Sequence, residues 1–146
     1  MGARLDPAIS QLLEERKLTR FRAGRGVILK ELDGARYDLG KAHGSLKQGD
    51  FKWATIQAYY AKFHSARALL FSQGFRERSH MALLEAIEAL FTKNGKLERE
   101  YFDDFRNVKD LRELVDYGIV YSKESARTLP LTAEKFLRKV ETILEI

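Results

Sequence analysis

The chain has 146 residues, of which 45% are hydrophobic and 32% charged, and its formal net charge is +5. This length fits one domain that buries roughly two-thirds of the surface its unfolded form exposes, and no stretch approaches the ~18 uninterrupted apolar residues of a membrane span. Because it lacks cysteine, it has no thiol nucleophile, disulfide, iron–sulfur cluster or cysteine-based zinc site. Arg4, Asp6 and Glu14 stand where a secretory signal needs an apolar core, so we expect a cytoplasmic protein outside any membrane.

A short first helix is predicted to begin at Asp6 and Pro7, as N-cap and first-turn proline, and to end at Gly24 and Gly26. Residues 1–24 would form an accessory segment before a bundle of residues 27–145, all within one domain of residues 1–146. Around the junction of the first two helices lies a basic patch: Arg16, Lys17, Arg20, Arg22 and Arg25. This patch either meets phosphate groups or is a solvated basic turn.

Two longer helices follow. The second is predicted from about Val27 to Lys47, because its apolar residues recur at three- and four-residue steps. The third begins after its N-cap Asp50 and runs to about Gln73, before Gly74. It is apolar nearly all round, which is typical of a helix at the centre of a bundle or in a subunit interface. We expect a homodimer, since one bundle rarely covers every face of one member.

Three further helices complete the prediction. The fourth covers about residues 79–92 and the fifth about residues 98–117. The last begins at Ser122 and keeps its apolar phase across Pro130, which predicts one helix with a kink. No run of alternating β-branched or aromatic residues indicates a strand. The predicted fold class is therefore all-α: an antiparallel four- to five-helix up-and-down bundle with a short N-terminal accessory helix.

One stripe along the third helix alternates aromatic rings and polar tips at steps of three and four residues. Its members are Trp53, Gln57, Tyr60, His64, Arg67 and Phe71. At this spacing their side chains share one face of the helix. Two interpretations are open: Tyr60, His64 and Arg67 satisfy each other as a structural network, or they belong to a working site.

The fifth helix places Arg112 among apolar neighbours on its inward side. A buried guanidinium needs an acceptor, and Asp116, one turn further on, is the nearest, with Tyr117 able to add a hydroxyl. This group is either a structural ion pair or part of a site. His80 follows the predicted cap of the fourth helix, where a positive charge is disfavoured, so we expect a neutral imidazole with one hydrogen bond.

A family resemblance is carried by three stretches: GDFKWATIQAYYAKFHSARALLFSQGFRERSHMALL, LRELVDYG and AEKFLRKVETIL. Over about residues 27–145 the chain resembles the small prokaryotic HEPN-domain proteins. The distinctive positions are Tyr59, Tyr60, Phe63, His64, Gly74, His80, Arg112, Asp116 and Tyr117. The resemblance implies an antiparallel helical bundle of a type that commonly dimerises. It also implies a minimal nucleotidyltransferase as partner, since many such proteins form a toxin–antitoxin pair with one.

Nucleases of this family cut RNA without a metal, using an arginine and a histidine separated by four to six residues. Neither Arg106 nor Arg112 is followed by a histidine at that spacing, and the formal match of Arg36 with His43 is of the kind that arises by chance. The alternative is a rearranged site. Its catalytic residues would be Arg112, His64 and His80, and its supporting or binding residues Tyr60, Arg67, Asp116 and Tyr117.

Three classes of function remain open: an RNA-cleaving toxin, a non-catalytic partner of a nucleotidyltransferase, and a nucleic-acid or nucleotide-binding module. We favour a HEPN component of a toxin–antitoxin-like system with RNA as its ligand. Glu77 and His80 supply only half of the paired Glu-x-x-His motif of di-iron bundles. The sequence also has no glycine-rich phosphate loop. We therefore expect no metal and no cofactor.

Overall fold

The computed structural model describes the backbone of residues 5–116 and 123–146, and the side chains of residues 5–107 and 123–146. The helices are α1 Pro7–Glu14, α2 Arg25–Lys47, α3 Phe51–Ser72, α4 His80–Ile87, α5 Arg99–Asp116 and α6 Lys123–Leu144. Two short strands, β1 Leu18–Arg20 and β2 Phe75–Glu77, pair antiparallel. The predicted all-α helical fold is confirmed.

Helix α3 is the centre of the bundle. It packs against α2, α5 and α6, and also contacts β2 and α4. Thirteen of its 22 residues are buried, among them Ala58, Ala61 and Ala66, whose small side chains let neighbouring helices approach closely. Because elements of the same chain surround α3, its apolar surface no longer argues for a second subunit. The homodimer stays a prediction.

Capping residues set the beginnings of three helices where the sequence predicts them. The side chain of Asp6 accepts a hydrogen bond from the Ala8 amide at 2.8 Å. Asp50 accepts from the Trp53 amide at 3.3 Å, and Ser79 accepts from the Ala82 amide at 3.0 Å. Each oxygen satisfies one of the amides that a helix start leaves without a partner.

The first helix is shorter than predicted, and the expectation of no strand is wrong. Helix α1 ends at Glu14, ten residues before Gly24, because Arg16 adopts a left-handed conformation with φ of 59° and the chain then enters β1. Leu18 is buried and pairs with Glu77 of β2. Strands of three residues are too short to show the alternation by which sequence patterns reveal strands.

The other helix boundaries agree with the prediction to within about two residues. The predicted fourth helix is α4 followed by a π-helical turn, Glu88–Thr92. Helix α6 runs through Pro130 as one helix, as predicted. The expected start at Ser122 and the expected end of the fifth helix at Tyr117 lie outside the described residues. Within the described ranges, no helix combines the length and apolar character needed to cross a membrane.

Candidate functional site

His64 lies between two carboxylates of the neighbouring helix α2. Its Nδ1 is 2.6 Å from Glu31 Oε2, and its Nε2 is 3.5 Å from Asp38 Oδ2. Glu31 and Asp38 are seven residues apart, so they share one face of α2 and reach the same imidazole. Burial raises the pKa of Asp38, and the charge of His64 opposes that effect. The two contacts hold the His64 ring in a fixed orientation.

Arg67, one turn further along α3, contacts both Glu31, the partner of His64, and Glu77 of the two-stranded β1–β2 ribbon. Its Nη1 lies 3.2 Å from Glu31 Oε1, and its Nε lies 3.0 Å from Glu77 Oε2 on β2. Burial opposes ionisation of Glu31, but the hydrogen bond with His64 and the charge of Arg67 outweigh it and lower the pKa of Glu31. The ion pairs of Arg67 thus connect three elements of the fold: α2, α3 and β2.

Phe63 separates this network from the second histidine. The ring centroid of Phe63 lies 5.8 Å from that of His64 and 4.8 Å from that of His80. The Arg67 guanidinium also lies over the Phe63 ring, 5.5 Å from its centroid. His80 is the first residue of α4, and its Nδ1 is 2.8 Å from the hydroxyl of the buried Tyr59. That contact fixes the orientation of the His80 ring, in agreement with the predicted hydrogen bond.

A pocket of about 320 Å³ opens between α3, β2 and the start of α4. We call it the arginine cleft, and its lining residues are Phe63, Arg67, Arg76, Glu77, Arg78, Ser79 and His80. Arg76 and Arg78 are exposed, whereas the Arg67 and Glu77 side chains are only 16% and 8% exposed. The cleft therefore has a cationic rim, an aromatic wall and a buried carboxylate at its base.

The predicted basic patch runs from the segment before β1 to Arg25 at the start of α2, next to the strand that lines the cleft. All five of its cations are exposed. Thr19 of β1 pairs with Arg76 of β2, and the Arg78 amide donates to the Lys17 carbonyl oxygen at 3.0 Å, so the exposed patch adjoins both exposed arginines of the cleft. Lys17 forms an ion pair with Glu15 at 2.9 Å, and the Arg20 guanidinium lies 5.8 Å from the Phe75 ring centroid. The exposed cations of the patch therefore lie next to the cationic rim of the arginine cleft.

The structure brings His64, His80 and Arg67 of the predicted site together around Phe63. Tyr60 also lies beside Phe63, with ring centroids 6.4 Å apart. The side chains of Arg112 and Asp116, and all of Tyr117, lie outside the described residues. Arg36, of the chance match with His43, pairs with Asp33 and Glu141.

In the possible structural network of Tyr60, His64 and Arg67, a carboxylate of α2 is shared by two members: His64 and Arg67 both contact Glu31. Both side chains can donate N–H groups to an anion, so one carboxylate between them suits both.

Sequence reasoning did not assign four residues of this site: Glu31, Asp38, Arg76 and Glu77. The spacing of Glu31 and Asp38 shows that they share a face, but not that this face meets His64, because the register between two packed helices is not visible in a sequence. Glu77 stands three residues before His80, a spacing that indicates only half of a metal motif, and no local pattern in the sequence singles out Arg76.

Metal binding has no support in the described residues, where no cluster of three histidine or carboxylate side chains has the geometry of a cation site. The carboxylates Glu31 and Glu77 bind Arg67 instead. What the cleft offers chemically is therefore cationic hydrogen-bond donors, an oriented imidazole and aromatic ring faces. These groups suit a phosphate-bearing, base-bearing ligand.

Comparison with known proteins identifies relatives over most of the chain. The HEPN domain family model matches residues 30–146. A UPF0332 protein of Thermotoga maritima is 30% identical over 113 residues, which cover 76% of this chain and 86% of that protein. The protein named "Putative toxin MJ0605" of Methanocaldococcus jannaschii is 28% identical over 96 residues, which cover 65% of this chain and 72% of that protein.

Proposed function

The chain belongs to the HEPN domain family, and on that premise we propose that it is the toxin-side component of a toxin–antitoxin-like system that acts on RNA. One relative carries the word toxin in its name. We propose that the arginine cleft, together with the adjoining basic patch, is the surface that contacts RNA.

The observation that carries this proposal is the composition of the cleft. Arg76 and Arg78 are exposed at its rim. Guanidinium groups can bind phosphate oxygens in a bidentate manner. The rings of Phe63 and His80 line the same pocket, and unstacked RNA bases stack on such rings. A purely structural network would need neither the exposed rim nor the adjacent unburied cations.

We propose His80 as the acid–base group if the cleft cleaves RNA. A general base must come within about 3 Å of the ribose 2′-hydroxyl, and His80 lines the pocket with its Nδ1 held by Tyr59. His64 faces carboxylates with both ring nitrogens, so its role is to hold Glu31 in position. Arg112 remains a proposed stabiliser of the phosphate charge.

A second candidate function is a non-catalytic partner of a nucleotidyltransferase. The observation that favours it is that His64 and His80 are both engaged by partners within the chain, Glu31 and Tyr59. Histidines held in this way can stabilise a fold without transferring a proton. Under this proposal the basic surface would bind RNA or the partner protein without cleaving any bond.

An RNA cleavage assay with a chelator separates these candidates. We expect the wild-type chain to cleave single-stranded RNA in EDTA and to slow growth when expressed. His80→Ala should lose about 100-fold or more of the cleavage rate while still binding RNA. His43→Ala, a histidine outside the cleft, is the matched control and should keep full activity.

Other outcomes of the assay are equally informative. RNA binding without cleavage by the wild type would favour the non-catalytic partner. Full cleavage by Arg112→Ala would remove Arg112 from the site. A wild-type chain that neither binds RNA nor slows growth would contradict the proposed function.

A further inference from the structure

The two faces of the β1–β2 ribbon differ in burial and charge. Side chains alternate between the two faces of a strand, so Phe75 and Glu77 share one face and Arg76 lies on the other. Phe75 is 4% exposed and the Glu77 side chain 8%, whereas both arginines are exposed. The Arg78 amide bonds to the Lys17 carbonyl oxygen, which continues the ladder and places Arg78 on the side of Arg76. We call this exposed side the outer face.

The arginines of the outer face differ from those of the helices in their partners. Within the described residues, neither Arg76 nor Arg78 forms an ion pair. The Arg76 guanidinium lies 5.5 Å from the centroid of the Phe21 ring instead, and a guanidinium against a ring keeps N–H donors at its edge for an anion. On α6, by contrast, Arg138 pairs with Glu134 at 2.9 Å. The outer face therefore carries two cations that no described carboxylate neutralises by contact.

The spacing of the two arginines indicates which anion fits them. Alternate residues of a strand lie about 6.6 Å apart, at about 3.3 Å per residue. Consecutive phosphates of an extended RNA strand have a similar separation, whereas the two phosphates of a nucleoside diphosphate share an oxygen and lie much closer together. Each guanidinium matches the oxygens of one phosphate. Arg76 and Arg78 therefore suit two phosphates that are separated by one nucleoside.

Lys17 lies opposite Arg78 in the ladder but already has a partner. Its Nζ is 2.9 Å from Glu15 Oε2, and the hydrogen bond within this pair raises the pKa of Lys17 and lowers that of Glu15. The pair carries no net charge, so it attracts a phosphate less than an unpaired arginine does. The phosphate-binding part of the outer face therefore follows β2.

We propose that the outer face of the ribbon binds two consecutive phosphates of an RNA strand, one at Arg76 and the other at Arg78, without reading the bases. Phosphate contacts fix the position of a strand but carry no base sequence. This inference rests on the proposed function for RNA as the source of the phosphates. The spacing of the phosphates is recognised by the ribbon alone. At this surface the chain is thus a sequence-independent RNA-binding protein.

Calorimetric titration of the full chain with small nucleotides tests the inference. Uridine 3′,5′-bisphosphate should bind at least about tenfold tighter than uridine 5′-monophosphate, because it makes one further charge-assisted contact. Uridine 5′-diphosphate also has two phosphates, but at the wrong spacing, and should bind at least about fivefold more weakly than the bisphosphate. Adenosine 3′,5′-bisphosphate should match the uridine bisphosphate to within about threefold, since the base is not read.

Three single variants locate the contacts. Arg76→Ala and Arg78→Ala should each bring uridine 3′,5′-bisphosphate to within about threefold of the monophosphate. Lys17→Ala is the matched control, because it removes the same charge from the same face; it should change the affinity for the bisphosphate by less than about threefold. All three side chains are exposed, and circular dichroism checks that the variants fold. Equal weakening by Lys17→Ala and Arg78→Ala would overturn the assignment, because only net charge would then matter.

Other outcomes of the titration also decide the inference. Equal binding of the bisphosphate and the 5′-diphosphate overturns it, because the spacing would then not be recognised. A preference of about tenfold or more for one base overturns base-independent binding. A hexaglutamate peptide that binds as tightly as the bisphosphate overturns RNA as the ligand and indicates an acidic protein partner.

The inference and the proposed function fail in different ways. RNA binding by a chain that shows no preference for the bisphosphate overturns the outer-face site alone and leaves the proposed function standing. A preference for the bisphosphate that Arg78→Ala removes, in a chain that binds no RNA, supports the site and contradicts the proposed function.

Discussion

Helix α3 carries two largely buried cations, five residues apart, that differ in their hydrogen-bond and ion-pair partners. Arg67 contacts Glu31 at 3.2 Å and Glu77 at 3.0 Å. Lys62 is fully buried, and within the described residues its Nζ has no hydrogen-bond partner. Burial lowers the pKa of Lys62 to about 8, against the attraction of Asp104 on α5. Among the described residues, one side of α3 thus holds a charge in contact with two carboxylates and another side a charge without a hydrogen bond.

The difference shows which charge belongs to the proposed site. The carboxylates around Arg67 come from α2 and β2, and they connect the bundle to the arginine cleft. Lys62 faces the α5 side and contributes to none of those contacts. A buried cation without hydrogen bonds reduces stability, so Arg67 should stabilise the fold and Lys62 should destabilise it. Nothing in the described structure explains why Lys62 is there.

Removing Arg67 should have the largest effect. Arg67→Met removes the cation that contacts Glu77 in a largely buried position and leaves Glu31 with His64 alone, which costs about 3–5 kcal/mol of unfolding free energy. Urea denaturation at pH 7 followed by circular dichroism measures this loss. A change below about 1 kcal/mol would mean that the charge network is not what holds β2 against α3.

The matched substitution Lys62→Met should act in the opposite direction. The lowered pKa of Lys62, about 8 in place of 10.5, corresponds to roughly 3 kcal/mol of destabilisation at pH 7. Between pH 8 and pH 10.5 the unfolded chain binds the extra proton, so wild-type stability should rise with pH in that window. Lys62→Met should therefore gain stability at pH 7, and that gain should have nearly vanished by pH 10.5.

Urea denaturation of both proteins at pH 7 and pH 10.5 checks this prediction. An advantage of Lys62→Met of the same size at both pH values would show that packing, and not the buried charge, accounts for it. Loss of stability at pH 7 would show that Lys62 has a favourable partner and that the two sides of α3 do not differ as described.

The starts of α3 and α4 could be predicted from the sequence, because the caps Asp50 and Ser79 each act on an amide three residues away. The sequence also predicted one hydrogen bond for His80, since its place at the start of α4 is a local feature. The partners of His64 and Arg67 could not be predicted. Glu31 lies more than thirty residues from either residue, and only the packed register of α2 on α3 brings them together.

The two strands could not be predicted either, because their pairing also depends on contacts between distant parts of the sequence. A pairing such as Leu18 with Glu77 joins segments far apart in the sequence, and three residues carry too little periodicity to reveal it. Without the ribbon, Arg76 and Glu77 have no predicted position. The arginine cleft therefore follows from the tertiary fold and not from any local motif.

The central claim, that the arginine cleft binds RNA, is tested most directly by fluorescence anisotropy with labelled single-stranded RNA at several salt concentrations. Arg76→Ala with Arg78→Ala should weaken binding by about tenfold or more and reduce the salt dependence by the equivalent of about two phosphate contacts. Lys135→Ala with Arg138→Ala removes the same charge from exposed positions of α6 and should change the affinity by less than about threefold. Equal weakening by both pairs would contradict the claim, because only net charge would then matter.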